Sequence, residues 1–351
     1  MEEIKRVGAG DKHINLYEDT GYLNIAGIFA YGTIFNFIVG GRGTGKTYGM
    51  LSYLYDSGKT AIYLRRTQAQ ADIIGKADFT PFKAVANDRN IDYEVLKVVK
   101  GVTAVYTDGR PLYYTAALST FASLRSFDMS GVSYILFDEF IPERSERVTI
   151  KHEFDAFLNM YETVNRNREL QGKPPVILLA AANANDINNK IFMGLGLIAV
   201  TDGMMKRGQE EWHDYKRSIS LYYPQRSPIS SAKRETALYK LSQGTEFEKM
   251  SIENDYNLDV SDILRRPAVE YKPVVNVGEL CIRRHKARTD EYLITVGIAK
   301  DSAPYYPATE RGIGQFKERY PRIVYNYLFS DRFYYESLLA KSLFTAYMQD
   351  Y

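Results

Sequence analysis

Eight consecutive residues, Gly40-Gly41-Arg42-Gly43-Thr44-Gly45-Lys46-Thr47, carry the spacing G-x-x-x-x-G-K-[ST]. Glycines at 40, 43 and 45 let a chain turn tightly, so that successive N–H groups converge on phosphate oxygens at a helix N-terminus. Within the same loop Lys46 supplies a point charge for β- and γ-phosphates, and the Thr47 hydroxyl is placed to ligate Mg²⁺. A second pair, Asp138-Glu139, follows the apolar run Ser133-Tyr134-Ile135-Leu136-Phe137. There Asp138 holds Mg²⁺ through its water shell, and Glu139 accepts the proton of an attacking water. Asn183, after the apolar stretch from Val176, either orients that water as a sensor or is an ordinary strand-end asparagine.

These residues need particular elements to hold them. Ile34 to Val39 is β-branched and aromatic, the composition of a buried strand. After the glycine loop, Met50, Leu51 and Leu54 recur at helical spacing until Asp56-Ser57-Gly58 stops the helix. Thr60 to Leu64 reads as a second strand and runs into Arg65-Arg66. This pair reads equally as a phosphate or subunit contact and as a solvated strand end. From Tyr93 to Leu118 apolar and polar residues alternate around Thr107-Asp108-Gly109-Arg110, a β-hairpin or meander inserted before the next core strand. A helix is expected over about 151–170, then Pro174-Pro175, then the strand from Val176. Apolar strands separated by helices indicate a parallel sheet covered on both faces, whose ligands bind at strand carboxyl ends. The glycine loop, Arg65-Arg66, Asp138-Glu139 and Asn183 all fall at such ends and should cluster.

At the end of the 151–170 helix, Asn165-Arg166-Asn167-Arg168-Glu169 is read by angle. On a continuous helix Phe154, Phe157, Leu158, Tyr161 and Val164 share a face with Arg168. Arg168 is then structural, and Arg166 points away, free to reach another molecule. An arginine given to a neighbour's γ-phosphate stabilises transition-state charge; the plain alternative is a cation at a helix C-terminus.

The remainder bounds the function without carrying it. With 351 residues and a net charge of +2, the chain has room for two domains and is no polycation, so nucleic-acid contact must come from local patches. The lone Cys281 excludes an internal disulfide and suits a reducing cytosol. No apolar run approaches the ~20 residues that cross a bilayer. Residues 1–33 read as a mixed polar cover with no assigned chemistry. The composition turns linker-like at 227–231, and a short helix with Ala237, Leu238 and Leu241 on one side ends at Gln243-Gly244-Thr245. Beyond Asp262, strands Leu280-Cys281-Ile282 and Tyr292 to Val296 flank a polar turn, and 333–348 reads as an amphipathic helix. Arg283, Arg284, Lys286 and Arg288 form the densest basic run, which suits contact with a DNA or RNA phosphate backbone or is a solvated hairpin tip. The expected organisation is a P-loop ATPase domain over 1–228, a helical linker over 229–260 and an α+β domain over 261–351.

One ordered set of motifs resembles a known family. Asn36-Phe37-Ile38-Val39-Gly40 leads into the glycine loop, and Ile62-Tyr63-Leu64-Arg65-Arg66, Phe137-Asp138-Glu139-Phe140-Ile141 and Thr163-Val164-x-Arg166-Asn167-Arg168-Glu169 follow. Gly244-Thr245-Glu246-Phe247 with Met250-Ser251 completes the series. It resembles the genome-packaging ATPases of phi-29-like bacteriophages, relatives of large terminase subunits. A strand between P-loop and Walker B, with the adjacent Glu139, points to the same ATP-hydrolysing (ASCE) motor division. The resemblance implies an α/β P-loop fold that uses ATP and Mg²⁺ in a homomeric ring, a pentamer. That ring would sit on the phage portal in the host cytoplasm and push double-stranded DNA into a prohead, in some relatives through a packaging RNA. Carried over by motif, Lys46 and Thr47 bind phosphate and metal, Asp138 the metal, Glu139 the water, and Arg166 acts in trans. The C-terminal domain would be a vestigial RNase-H-like fold without nuclease activity, because Glu279, Asp290, Glu291 and Asp301 form no acidic cluster on its first strands. A stand-alone P-loop helicase or translocase, and a nucleotide-gated adaptor for portal or RNA, fit the same residues. Arg42, inside the loop, is read as a contact either to a neighbour or to Glu139.

Overall fold

The computed structural model describes residues 14–142, 150–183, 189–224, 228–229, 234–245, 248, 263, 268–299, 302–330 and 332–349. The chain divides into two units, Met1–Ile191 with Met204–Asn257, and Phe192–Gly203 with Leu258–Tyr351.

In the first unit, helix α1 (Ile25–Ala30) precedes strand β1 (Phe35–Gly40), helix α2 (Lys46–Ser57) and strand β2 (Thr60–Arg65). Helices α3 (Gln68–Ile74) and α4 (Phe82–Arg89) lead to strands β3 (Glu94–Val99), β4 (Val102–Thr107) and β5 (Arg110–Ala117). A 3-10 segment, Leu118–Leu124, joins these to β6 (Val132–Asp138), helix α5 (Glu153–Asn165) and β7 (Ile177–Asn183). Helices α6 (Lys190–Gly194) and α7 (Ile198–Arg207) come next in the chain and fall largely within the Phe192–Gly203 stretch of the second unit, and strands β8 (Glu211–Asp214) and β9 (Ile219–Tyr222) and the short α8 (Ala237–Leu241) return to the first. The sheet is nine-stranded, in the order β3-β4-β5-β2-β6-β7-β1-β9-β8. From β5 to β9 every neighbouring pair is parallel, and antiparallel pairs flank this centre at both edges.

Successive residues of a strand face opposite sides of the sheet, and both sides here are packed. Ile38, Tyr63, Leu136 and Leu179 join Met50, Leu51 and Leu54 of α2 and Phe82 and Val85 of α4 in one core. On the other side Phe37 and Phe137 meet Phe140 and, at ring distances of 6.4 and 6.5 Å, Phe157 of α5. The apolar runs of the central strands are therefore consistent with burial on both faces.

Several expectations change. Residues 14–33 are no polar cover, because Leu16, Tyr17, Leu23, Ile25, Ile28, Phe29 and Tyr31 are buried in the α2 core. The 93–118 stretch is not an insertion: β5 pairs in parallel with β2 and extends the sheet. Its turn is as expected, with Asp108 and Gly109 at φ +52° and +71°, the left-handed pair that a two-residue hairpin uses. The helix expected over 151–170 ends at Asn165, and a separate 3-10 turn covers Glu169–Gln171. Its buried face carries Phe157, Met160 and Val164, whereas Leu158 is 46% exposed. In α8 the buried residue is Tyr239, and Leu238 and Leu241 are exposed. Most of 229–260, including Glu246-Phe247 and Met250-Ser251, lies outside the described residues.

In the second unit, strands β10 (Tyr271–Val277), β11 (Leu280–His285), β12 (Tyr292–Val296), β13 (Tyr305–Tyr306) and β14 (Phe333–Tyr335) form a sheet in the order β13-β10-β11-β12-β14. Helices α9 (Glu310–Arg319), α10 (Pro321–Phe329) and α11 (Leu338–Gln349) supply Ile313, Phe316, Ile323, Ala340 and Phe344 to its core. The single helix expected over 333–348 is thus a strand followed by a helix. Phe333 and Tyr335 are buried and alternate with half-buried Tyr334, a strand period, before the helix begins at Leu338. Among the described residues no helix is long and apolar enough to cross a membrane.

Candidate nucleotide site

The strand order fixes which side chains meet. Strands β2, β6, β7 and β1 are consecutive neighbours, and their register pairs Gly40 with Asn183, Asp138 with Ala181, and Leu64 with Phe137. The carboxyl ends of four strands therefore finish at nearly one level.

At the end of β1 the chain enters α2 through Gly43 at φ +65° and Gly45 at φ +79°. A side chain at 45 would be strained by that φ, and its Cβ would lie 2.3 Å from Cδ1 of Tyr22. Lys46, 8% exposed, curls back so that Nζ donates to Gly40 O at 3.0 Å and Gly41 O at 2.7 Å. The same ammonium donates to Asn183 Oδ1 at 3.1 Å, which ties the β7 end to the loop. Thr47 Oγ1 donates to Asp138 Oδ2 at 2.9 Å.

Asp138 is 4% exposed. Tyr63 OH reaches Oδ2 at 2.5 Å, Arg65 Nη1 lies 3.3 Å from the same oxygen, and Oδ1 accepts the Glu139 N–H at 3.1 Å. Arg65 extends a second nitrogen to Glu139 Oε2 at 2.7 Å. Burial works against the Arg65 charge, but Asp138, Tyr63 and Glu139 outweigh it and raise its pKa. Burial, reinforced by Asp138, holds the Tyr63 hydroxyl well above the ordinary phenol pKa, so it remains a neutral donor. Glu139 sits at φ +55°, a left-handed conformation that costs a non-glycine residue roughly 1–2 kcal/mol. Its side chain is half exposed beyond the strand end.

The glycine loop, Asn183, Asp138 and Glu139 thus come together as the sequence indicates, and Arg65 joins them. Arg66 does not. Its side chain is 2% exposed and pairs with buried Glu153 at the start of α5, Nε to Oε1 at 2.8 Å. This pair is neither a solvated strand end nor a ligand group. Tyr63 was missed, although alternation along β2 puts it on the same face as Arg65. Tyr22 was missed because residues 1–33 offered no motif.

Around Arg166 the chain departs from the expected helix. The helix stops at Asn165, and Arg166 is its cap at φ +47°, ψ −138°, so an angular reading does not extend to 166 or 168. Arg166 is exposed and donates to Arg125 O and Phe127 O at 3.4 and 3.2 Å. Arg168 is half-buried and donates to Ser130 O at 2.6 Å, with burial lowering its pKa. Arg168 is structural, as expected, and Arg166 is exposed but tethered.

The basic run does not form one patch. Arg283 and Arg284 lie within β11 and face opposite sides of the sheet, with Arg283 Nε on Thr295 Oγ1 at 3.3 Å. Arg288 is held by Glu291 at 2.9 Å and by His285 at 3.0 Å. Glu291, 2% exposed, also accepts from Tyr271 OH. Lys286 and Arg288 are the exposed members, and Arg283 and Arg284 are half-buried.

The donors suit the groups implied by the motif. A glycine-rich loop at a helix N-terminus with one buried ammonium matches phosphate. A hydroxyl and a carboxylate, both hard oxygen donors 2.9 Å apart, match Mg²⁺.

Comparison with known proteins gives a consistent result. A family model described as podovirus DNA encapsidation protein (Gp16) matches residues 17–279. A DNA packaging protein of Bacillus phage phi29 is 29% identical over 260 residues, 73% of this chain and 72% of its own length. Its counterpart in Bacillus phage B103 is 29% identical over 255 residues, 71% of this chain and 73% of its own. Among solved structures, the bacteriophage Phi-29 viral genome packaging motor assembly aligns with a TM-score of 0.61 at 22% identity, covering 93% of this chain and 99% of that one. The Phi-28 DNA packaging motor aligns with a TM-score of 0.60 at 19% identity, covering 90% and 95%.

Proposed function

Because the chain belongs to the podovirus DNA encapsidation protein family, we propose that it hydrolyses ATP to drive double-stranded DNA into a prohead. Genome packaging is the function of the family; the coupling, the site roles and the assembly are inferred. The observation that carries the reading is the convergence of Lys46, Thr47, Asp138, Glu139 and Asn183 at the ends of β1, β6 and β7. Strand β7 lies between the glycine-loop strand and the Asp138 strand, which supports the ATP-hydrolysing (ASCE) motor division of P-loop proteins.

The N–H groups of 40–47 and Lys46 Nζ cradle the phosphates, and Nζ exchanges its carbonyl partners for phosphate oxygens. Thr47 donates its proton to Asp138, which leaves its lone pairs for a cation. When bound, Mg²⁺ neutralises charge on the phosphate oxygens. Glu139 takes the proton of the attacking water once Arg65 releases its carboxylate, and Asn183 orients that water. Arg166, exposed on its strained cap, is offered to the site of a neighbouring copy in a homomeric ring, a pentamer. The second unit is a vestigial RNase-H-like domain without cleavage activity. Portal, with or without a packaging RNA, and host cytoplasm follow as the setting.

The test is DNA packaging with purified proheads and ATP. ATP-dependent protection of DNA from added nuclease supports the reading. Prohead binding and ATP turnover without DNA entry would favour an adaptor.

A further inference from the structure

Asp138 is gripped from inside the sheet by a residue that the scheme above leaves unused. We propose that Tyr63 is a positioning residue whose hydroxyl fixes the Asp138 carboxylate in the orientation that serves Thr47 and the cation. The proposal rests on reading Gly40–Thr47 and Asp138 as a Mg²⁺–nucleotide site.

Tyr63 lies in β2, 1% exposed, with Leu136 of β6 as its register partner. Two residues further along β6 and on the same face, Asp138 presents Oδ2 to the Tyr63 hydroxyl at 2.5 Å. That oxygen is the one that accepts from Thr47 at 2.9 Å, while Oδ1 is occupied by the Glu139 N–H at 3.1 Å. An aspartate at a strand end otherwise rotates broadly about its last torsion. Here three donors from β2, α2 and the β6 end define both oxygens.

The geometry distinguishes the roles of those donors. Thr47 has one hydroxyl proton, and its usefulness as a ligand depends on spending that proton on Asp138. Arg65 lies farther from Oδ2, at 3.3 Å, and is shared with Glu139. Tyr63 brings a rigid donor on two torsions, and its ring packs against Tyr113 at 5.2 Å. It is the buried anchor that stays while groups at the open end exchange partners.

Tyr113 provides the internal control. It is equally buried, but its hydroxyl pairs with Thr80 Oγ1 at 2.6 Å and not with Asp138. Full-length wild type, Tyr63→Phe and Tyr113→Phe are titrated with a fluorescent ATP analogue in Mg²⁺ and in EDTA, and thermal unfolding is followed for each. Each Phe variant removes one oxygen and keeps the ring, so both fold. Tyr63→Phe should lose roughly three- to tenfold of the Mg²⁺-dependent gain in affinity, with EDTA affinity within about twofold of wild type. Tyr113→Phe should keep the full gain. The same Mg²⁺ gain in Tyr63→Phe as in wild type, or an equal loss with and without metal, would overturn the positioning role. A wild type that binds the analogue without any Mg²⁺ gain would instead remove the nucleotide-site reading beneath it.

Discussion

The two sheets treat their charged residues differently. In the first unit, charges of both signs gather at the ends of parallel strands: Arg65 pairs with Asp138 and Glu139, and Lys46 reaches from the glycine loop to the β7 end. In the second, Arg283 to Arg288 run along and around an antiparallel hairpin, whose pleat sends them to opposite faces and whose turn ties Arg288 to buried Glu291. A parallel sheet concentrates strand-end chemistry in one place, whereas a hairpin disperses a run of like residues. Motif spacing therefore predicts convergence in the first case, and local charge density fails to predict a patch in the second.

Substitutions can break or sharpen that contrast. Arg166→Ala should lower ATP turnover by roughly 10³–10⁵ while leaving ATP binding within about twofold. In mixtures, subunits that keep Arg166 but have a dead ATP site should restore turnover to the Arg166→Ala subunits. Mixtures that stay inactive would count against action in trans. Next in size is the buried pair behind the site. Glu153→Gln removes the carboxylate charge facing the Arg66 guanidinium, which is 2% exposed, and should cost about 3–5 kcal/mol in denaturant unfolding. A loss under 1 kcal/mol would mean that Arg66 finds water or another carboxylate. Smallest is the hairpin. Arg288→Ala should cost about 1 kcal/mol, because Arg288 is half exposed and Glu291 keeps Tyr271. Lys286→Ala should stay within ~0.5 kcal/mol. Equal losses at the two positions would contradict the tie at 288.

Legibility in the sequence followed the same division. The glycine loop, the Asp138-Glu139 strand end and the clustering of Asn183 could be read because each motif is local and the parallel sheet aligns strand ends. The embedding of 14–33 was not legible, since Leu16, Leu23 and Ile28 belong to the α2 core through tertiary packing and no motif marks them. Nor were β8 and β9, four residues each and dependent on β1 for their place. The arginine helix failed for a definable reason. Asn165 turns its side chain to the Val176 N–H at 2.8 Å and to Glu169, ending the helix one residue before Arg166. Helical periodicity carries no information past such a stop. Tyr63 was hidden by its own composition, a tyrosine in an apolar strand that reads as core until its partner is known.

The central claim is that the strand-end cluster hydrolyses ATP with Glu139 as the base. The direct measurement is single-turnover ATP hydrolysis beside equilibrium ATP binding in Glu139→Gln. Binding within about threefold of wild type, with hydrolysis reduced by roughly 10² or more, is the predicted result. Hydrolysis at the wild-type rate with binding intact would contradict it.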